Sequence, residues 1–428
     1  MNRVSSAVTK LFTLACAVII MATAIIPVDL SLAAPNPSYV APSGGVFNNP
    51  YGSSSEQWKI MNRVKDAINN APAGSVIRIA AYSITLPQMT DALIAAKNRG
   101  VNVRVVTDDH LYDKEDPDYV AKTAQTERLK SALKTDISQS NYIKICHFGC
   151  MSNNQYASMH AKLYMFSTTG KSKQVTMIGS ANMSGTHLYS WNNMFTTVGD
   201  VTAYDTMRLY FDRMATEPDD QNAYQNILSE TGRRIYTFPR AGVDTLSEDI
   251  YYGILNNVKC TGLASGYGTT PSNASTSKTV IRLAMFKWTE NRLGVAEKLR
   301  DLSNAGCDVR VAISKTQGDY SRDALVAILS NGKIKVVDMD KNKDSSGNYK
   351  NYLHHKYIAI NGYYSDDSSS KVVFTGSPNL SSSAIRYSNE VMIRIYTTAT
   401  YDSYNSNFNT MWSKGRTVTL SEVQAMSN

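Results

Sequence analysis

Cysteine and histidine are both scarce in this chain, with five Cys and six His in 428 residues. Chemistry built on thiols or imidazoles therefore rests on few positions. No apolar run after residue 26 is long enough to span a bilayer, which excludes a bundle of membrane helices. No block of Lys and Arg marks a nucleic-acid-binding arm. No carboxylate cluster offers the oxygen cage of a divalent cation, and neither a metal nor an organic cofactor is expected. Charged residues make up 19% and hydrophobic ones 43%, which suits a globular protein with a substantial core. The formal net charge of +8 fits an anionic substrate or surface, and it also lies within ordinary variation.

The one long apolar stretch is at the start. Arg3 and Lys10 precede an apolar run over 11–26, Pro27 breaks it, and Ser31-Leu32-Ala33-Ala34 offers small residues for cleavage. That pattern reads as a secretory signal peptide over 1–34, cleaved near Ala33 and Ala34, and the protein is expected to be secreted. The run is slightly long, so an uncleaved anchor is the alternative. Removing the segment removes Cys16 and leaves Cys146, Cys150, Cys260 and Cys307. An even count in an exported chain points to two disulfides. Of the three possible pairings, Cys146–Cys150 with Cys260–Cys307 keeps one bridge in each half. A rival metal site on Cys146, His147 and Cys150 lacks further ligands at the usual spacing.

Residues 35–55 are rich in Pro, Gly, Ser and Asn and read as an irregular lead-in. The pattern then predicts a helix over 56–70, a strand over 76–81 and a helix over 86–99 ending at Gly100. A strand over 101–106, a short helix over 127–134 and a strand over 142–146 follow. After a helix over 204–215 the order returns. It runs helix 246–258, polar loop 261–278, strand 280–285, helix 294–304, strand 308–313, helix 323–329 and strand 333–337. A last helix is expected over 404–412. Val76-Ile77-Arg78-Ile79-Ala80-Ala81 and Val280-Ile281-Arg282-Leu283-Ala284-Met285 match position by position in character. This is an internal duplication with a period near half the chain. The expected fold class is α/β, with two fused, duplicated halves at 35–235 and 236–428, each a mixed sheet flanked by helices. An approximate two-fold axis would relate them, with one shared site at the seam.

The chemistry-bearing residues repeat with the halves. His160-Ala161-Lys162 is followed by an apolar strand, a polar turn, a second strand and Gly179-Ser180-Ala181-Asn182. His354-His355-Lys356 leads through the same sequence of elements to Gly376-Ser377-Pro378-Asn379. One His-x-Lys arises easily by chance; two, each followed by Gly-Ser-x-Asn at the end of the next strand, do not. Alternation along a strand puts His354 and Lys356 on one face and His355 on the other. An imidazole beside a fixed ammonium, near an amide and a hydroxyl, is equipment for attack at a phosphate. His355 is expected to pack against a helix. His110, His147 and His187 have no counterpart in the repeat and are assigned structural roles.

On these duplicated motifs the chain resembles the phospholipase D superfamily, over nearly its whole mature length. The resemblance implies hydrolysis or transfer at a phosphodiester without a metal. One His forms a covalent phosphohistidine while the other protonates the leaving oxygen and then activates water. It implies that Lys162, Lys356, Asn182 and Asn379, with the hydroxyls of Ser180 and Ser377, hold the phosphoryl oxygens. The family's common pattern has an Asp five residues after the Lys; here those positions are Ser167 and Asn361. Eleven residues beyond Asn379 lies Glu390, and the same step from Asn182 gives Asn193. Comparison with the family implies that Glu390 orients His160 and Asn193 orients His354 across the seam. A carboxylate raises imidazole basicity where an amide only orients it, so His160 is assigned as nucleophile and His354 as acid.

The function expected is a secreted phospholipase D-like phosphodiesterase acting on phospholipid head groups as a monomer in contact with a membrane surface. Tyr82, Ile84, Phe286 and Trp288 are placed along the approach to the site or in the core. Two alternatives are a secreted metal-independent endonuclease using the same two imidazoles on nucleic acid, and a catalytically weak binding homologue. The presence of both His, both Lys and both Asn argues against the last.

Overall fold

The computed structural model describes residues 34–216, 220, 222–242, 244–318 and 320–426. The expected leader therefore falls, apart from residue 34, outside the described residues, as does Cys16. The N-terminal half contains β1 (Gly44–Phe47), α1 (Lys59–Asn69), β2 (Val76–Ala81), α2 (Pro87–Asn98), β3 (Asn102–Asp108), α3 (Tyr119–Leu133) and β4 (Tyr142–Cys146). It continues with β5 (Lys162–Thr169), β6 (Ser172–Gly179), β7 (Asn193–Val198) and α4 (Val201–Thr216). Next come β8 (Gln225–Leu228), β9 (Arg234–Phe238), α5 (Ile250–Asn256), β10 (Val280–Met285), α6 (Leu293–Asn304), β11 (Asp308–Ile313), α7 (Arg322–Leu329) and β12 (Lys335–Asp338). Then follow β13 (Lys356–Tyr364), β14 (Asp367–Gly376), β15 (Glu390–Tyr396), α8 (Thr398–Trp412) and β16 (Arg416–Val418), with a short helix at Leu420–Gln424 after them.

Local chemistry sets these boundaries. The buried stripe Ile60, Met61, Val64, Ala67 and Ile68 makes α1 amphipathic. Pro87 opens α2, where its missing N–H is no loss. Gly100 and Gly306 follow α2 and α6 with φ of +88° and +103°, a conformation that glycine adopts without strain. That the same stop recurs after equivalent helices is the duplication written into the backbone.

Among the described residues one sheet has seven strands in the order β1-β7-β6-β5-β2-β3-β4. A second has ten, along β16-β12-β11-β10-β13-β14-β15-β9-β8, with a short strand at Val258–Lys259 added beside β13. In both, a parallel trio (β2-β3-β4; β10-β11-β12) joins an antiparallel trio (β5-β6-β7; β13-β14-β15). Over these six strands the two mixed sheets have identical connectivity, and they differ in the strands added at their edges.

The core lies in three layers. The outer face of the first sheet packs on α1, α2 and α3 through residues such as Val64, Leu93 and Leu129. The outer face of the second packs on α5, α6 and α7 through Ile254, Leu299 and Leu325. Between the sheets, Leu163, Met165 and Phe195 meet Tyr357, Val373 and Ile393. Met207 and Phe211 of α4 and Tyr404 and Phe408 of α8 complete that layer. Strands buried on both faces follow from this arrangement, which is why β2 and β10 are apolar at every position but one, Arg78 and Arg282. The described residues form one compact unit.

Three expectations need correction. The lead-in 35–55 contains β1, which pairs antiparallel with β7; its Gly-Gly start and polar neighbours hide the strand pattern. The boundary at 235/236 cuts through β9, which with β8 extends the C-terminal sheet at β15. The helix expected over 127–134 begins at Tyr119, because its first turns bury Thr123 and Thr126 rather than an apolar stripe.

Both disulfides have the expected pairing, Cys146–Cys150 and Cys260–Cys307, closing separations of 4 and 47 residues. Chain entropy gives about 2 kcal/mol for the shorter loop and about 4 kcal/mol for the longer. Replacing Cys260 and Cys307 together by Ser should therefore lower the denaturation midpoint clearly more than replacing Cys146 and Cys150. Urea unfolding of the two double variants is the measurement, and mass mapping of the parent should find no free thiol among the four.

Candidate active site

His160 and His354 sit just before β5 and β13, which occupy equivalent inner positions of the two sheets. Each is held by a short parallel bridge from the opposite half, Met159 with Asn389 and Leu353 with Trp191. The His160 N–H donates to Asn389 O at 3.0 Å and the His354 N–H to Trp191 O at 2.9 Å. The preceding residues are pinned from their own sheets. The Met159 N–H donates to Asp108 Oδ2 at 2.7 Å and the Leu353 N–H to Ser314 Oγ at 2.6 Å. Both imidazoles thus depend on the seam for backbone position as well as for side-chain partners.

Glu390 reaches His160 as expected, with Nδ1 to Oε1 at 2.7 Å and the carboxylate almost fully buried. The partner of His354 is Asn192, with Nδ1 to Oδ1 at 2.9 Å, and not Asn193. Asn193 instead accepts from His355 Nδ1 at 3.0 Å and donates to Thr375 Oγ1 and Tyr404 Oη. The reason is one residue of length. The Ser180 N–H donates to Asn193 O, and the Ser377 N–H donates to Val391 O, so Asn193 is the counterpart of Val391 and Asn192 that of Glu390. Side chains alternate along a strand, so a step of one exchanges the two faces. The motif glycines mark the same equivalence. A Cβ on Gly179 would lie 2.2 Å from Asn193 O, and one on Gly376 2.2 Å from Val391 O.

Ser180 and Ser377 are also placed differently from expectation. Ser180 Oγ accepts the Asn193 N–H and donates to Asn192 Oδ1 at 2.9 Å. Ser377 Oγ accepts the Val391 N–H and donates to Val391 O. Both hydroxyls are fully buried and committed to the strands that carry Asn192 and Glu390. They position the groups that hold the imidazoles rather than offering free hydroxyls to a ligand.

Lys162 and Lys356 turn back to donate to His160 O and His354 O at 2.5 and 2.8 Å. Their ammonium groups lie 5.3 Å from the Tyr82 ring and 4.8 Å from the Phe286 ring, so these two aromatics line the site. Ile84 and Trp288 are core residues, buried and bridged to Met183 and Leu380. Asn182 Oδ1 accepts the Tyr82 N–H at 3.1 Å, and its NH2 group has no protein partner among the described residues. The side chain of Asn379 is buried with its Oδ1 unpartnered.

His187 is nearer the site than the sequence indicated. Its ring centroid is 4.2 Å from that of His354, and its Nδ1 accepts the Asn182 N–H at 2.7 Å. The missed signal was its place in the chain, five residues beyond the motif Asn182, where the connection turns back over the site. His110 stacks on Tyr82 at 3.6 Å and bonds Asp108 and Ser83, whereas His147 pairs with Asp109 at the surface. His355 is fully buried on the opposite face from His354, beside Phe47 and Tyr357 and facing Asn407 of α8. Ser167 and Asn361 stand where the family's Asp would be. Each accepts a backbone N–H, from Val76 and Gly268, five residues along the strand from the lysines and so roughly 16 Å away. Among the described residues no cluster of three or more His, Cys, Asp or Glu could hold a metal ion.

The family profile described as "Cardiolipin synthase, PLD-like domain" matches residues 64–215 and 272–412, one copy in each half. The chain belongs to the phospholipase D superfamily. Phosphatidylserine synthase of Haemophilus influenzae Rd KW20 superposes with a TM-score of 0.58 at 13% identity, over 92% of this chain and 90% of that one. Polyphosphate kinase of Porphyromonas gingivalis gives 0.52 at 13% identity, over 86% of this chain but only 50% of the kinase, so the chain spans half the kinase's length. At these identities the likeness is one of fold. A search of curated proteins finds no match.

Electrostatics in this phospholipase D-like site follow from burial. Loss of hydration pushes the His160 imidazole down to about 4, against the pull of Glu390. It drives His354 well below the usual range, with Lys356, His187 and Lys162 adding repulsion. Lys162 is pushed down to about 7 by burial, and Lys356 falls in the same direction. Between pH 7 and 10.5 the unfolded chain therefore binds more protons at Lys162 than the folded one, so the folded state gains stability as pH rises through that window. Lys162→Met removes the effect. The unfolding free energy of the parent minus that of Lys162→Met should rise from pH 7 to pH 10 by on the order of 2–4 kcal/mol. Denaturant titrations of both proteins at the two pH values test this, and a flat difference would contradict a buried, depressed ammonium.

Proposed function

We propose that this protein is an exported phosphodiesterase that hydrolyses or transfers the head group of a phospholipid through a covalent phosphohistidine. The observation that carries the proposal is the convergence of His160 and His354 across the seam, each Nδ1 clamped and each Nε2 without a protein partner among the described residues. Clamping Nδ1 leaves Nε2 as the reacting nitrogen in both rings. His160 Nε2 attacks phosphorus, with Glu390 stabilising the positive imidazole that results. The bond from phosphorus to the head-group oxygen breaks, and that oxygen takes a proton from His354. Water then gives a proton to His354, attacks phosphorus and releases His160. His354 is neutral in the empty site, so its proton arrives with the substrate, whose anionic charge offsets the repulsion from Lys356 and Lys162. The ammonium groups and the amides of Asn182 and Asn379 meet the phosphoryl oxygens.

Three features support a small head group over a duplex. The site is recessed, with His354 and Lys356 6% and 1% exposed. Its walls are aromatic, from Tyr82 and Phe286. The matching profile is described by a lipid synthase. Two disulfides support export. Because one chain supplies both halves of the site, a monomer is sufficient.

His160→Ala and His354→Ala should each lower turnover by at least about 10³-fold, since neither displacement proceeds with one imidazole. His355→Ala should keep most of the activity and lose stability. With phosphatidylcholine vesicles and ethanol, the phosphohistidine should partition between water and alcohol and yield phosphatidylethanol, detected by mass spectrometry. Hydrolysis without any alcohol adduct would remove the covalent step. Cleavage of plasmid DNA without lipid turnover would assign the same chemistry to a nuclease. Activity should persist in excess chelator.

A further inference from the structure

His187 belongs to the N-terminal half alone; the chain beyond Asn379 has no His before Glu390. It is held from two sides. Its Nδ1 accepts the Asn182 N–H at 2.7 Å, and its carbonyl accepts the amides of Asn48 and Asn192 at 3.1 and 3.2 Å. Asn192 is the residue that clamps His354, so the ring is tied to both motif positions around it. A backbone N–H can only donate, which fixes Nδ1 as an acceptor and places the proton of the neutral ring on Nε2. No protein atom among the described residues bonds that Nε2. The ring is buried at 8% exposure and lies 4.2 Å, centroid to centroid, from His354. Burial, with repulsion from Lys162, Lys356 and His160, pushes it well below the usual imidazole range and so favours the neutral ring.

We infer that His187 is a third functional imidazole, a fixed neutral donor whose Nε2–H bonds an oxygen of the phosphoryl group on the His354 side of the site. A neutral donor of locked tautomer needs no reorganisation as charge builds on that oxygen, and it adds no cation beside Lys162 and Lys356. No proton is transferred; the bond strengthens between the bound anion and the transition state. This rests on the phosphoryl site proposed above.

The test uses inorganic tungstate as a phosphoryl mimic and bis(p-nitrophenyl) phosphate as substrate. Gln at this position carries an amide NH2 near the place of Nε2. Asn keeps an acceptor near the place of Nδ1 and lacks the distal donor. His187→Ala and His187→Asn should bind tungstate at least fivefold more weakly and lose about 10- to 100-fold in kcat, with little pH dependence of the loss, whereas His187→Gln should recover a large part of both. Rescue by Asn and not by Gln would overturn the inference and leave His187 as a support for Asn182. Equal binding and turnover in all variants would also overturn it. If the variants do not fold, histidine-labelled parent protein decides by NMR, since tungstate should shift the His187 Nε2–H proton downfield, and no shift overturns the donor role. A parent that neither binds tungstate nor cleaves the ester rejects the phosphoryl site itself, and the inference with it.

Discussion

Everything in this site depends on the two backbone bridges across the seam. Met159 with Asn389 and Leu353 with Trp191 fix where each half presents its imidazole, and the residues beside those bridges supply the groups that clamp Nδ1. The mixed sheets, the buried Ser hydroxyls and the middle apolar layer all serve to hold these four short segments in register.

The two halves have the same connectivity and differ in charge. His160 has Glu390 against it, with Asp108 pinning the residue before it; the equivalent positions around His354 are the amide of Asn192 and the hydroxyl of Ser314. Duplication supplied the geometry, and substitution at a few equivalent positions gave one ring a carboxylate and the other an amide and a second imidazole.

Much of this was legible in the sequence, for definable reasons. Strands apolar at most positions stand out in the sequence, so β2, β4, β10 and β11 were readable to within a residue, and the repeated motif pointed to His160 and His354, with the family resemblance adding Glu390. Asn192 was missed because counting assumes equal connections, and the two halves differ by one residue there. β1 was missed because Gly and Asn dominate its surroundings, and its pairing is with a strand far along the chain. His187 carries no periodic or repeated signature at all. Its importance comes from a chain reversal that only packing specifies.

The Cys146–Cys150 link lies directly against the seam, for the Cys150 N–H donates to the side chain of Asn389, whose carbonyl in turn receives the His160 N–H. A half-folded chain therefore holds neither imidazole in working order, since each clamp is delivered by the portion still missing. The pair of clamps is thus a property of the finished molecule.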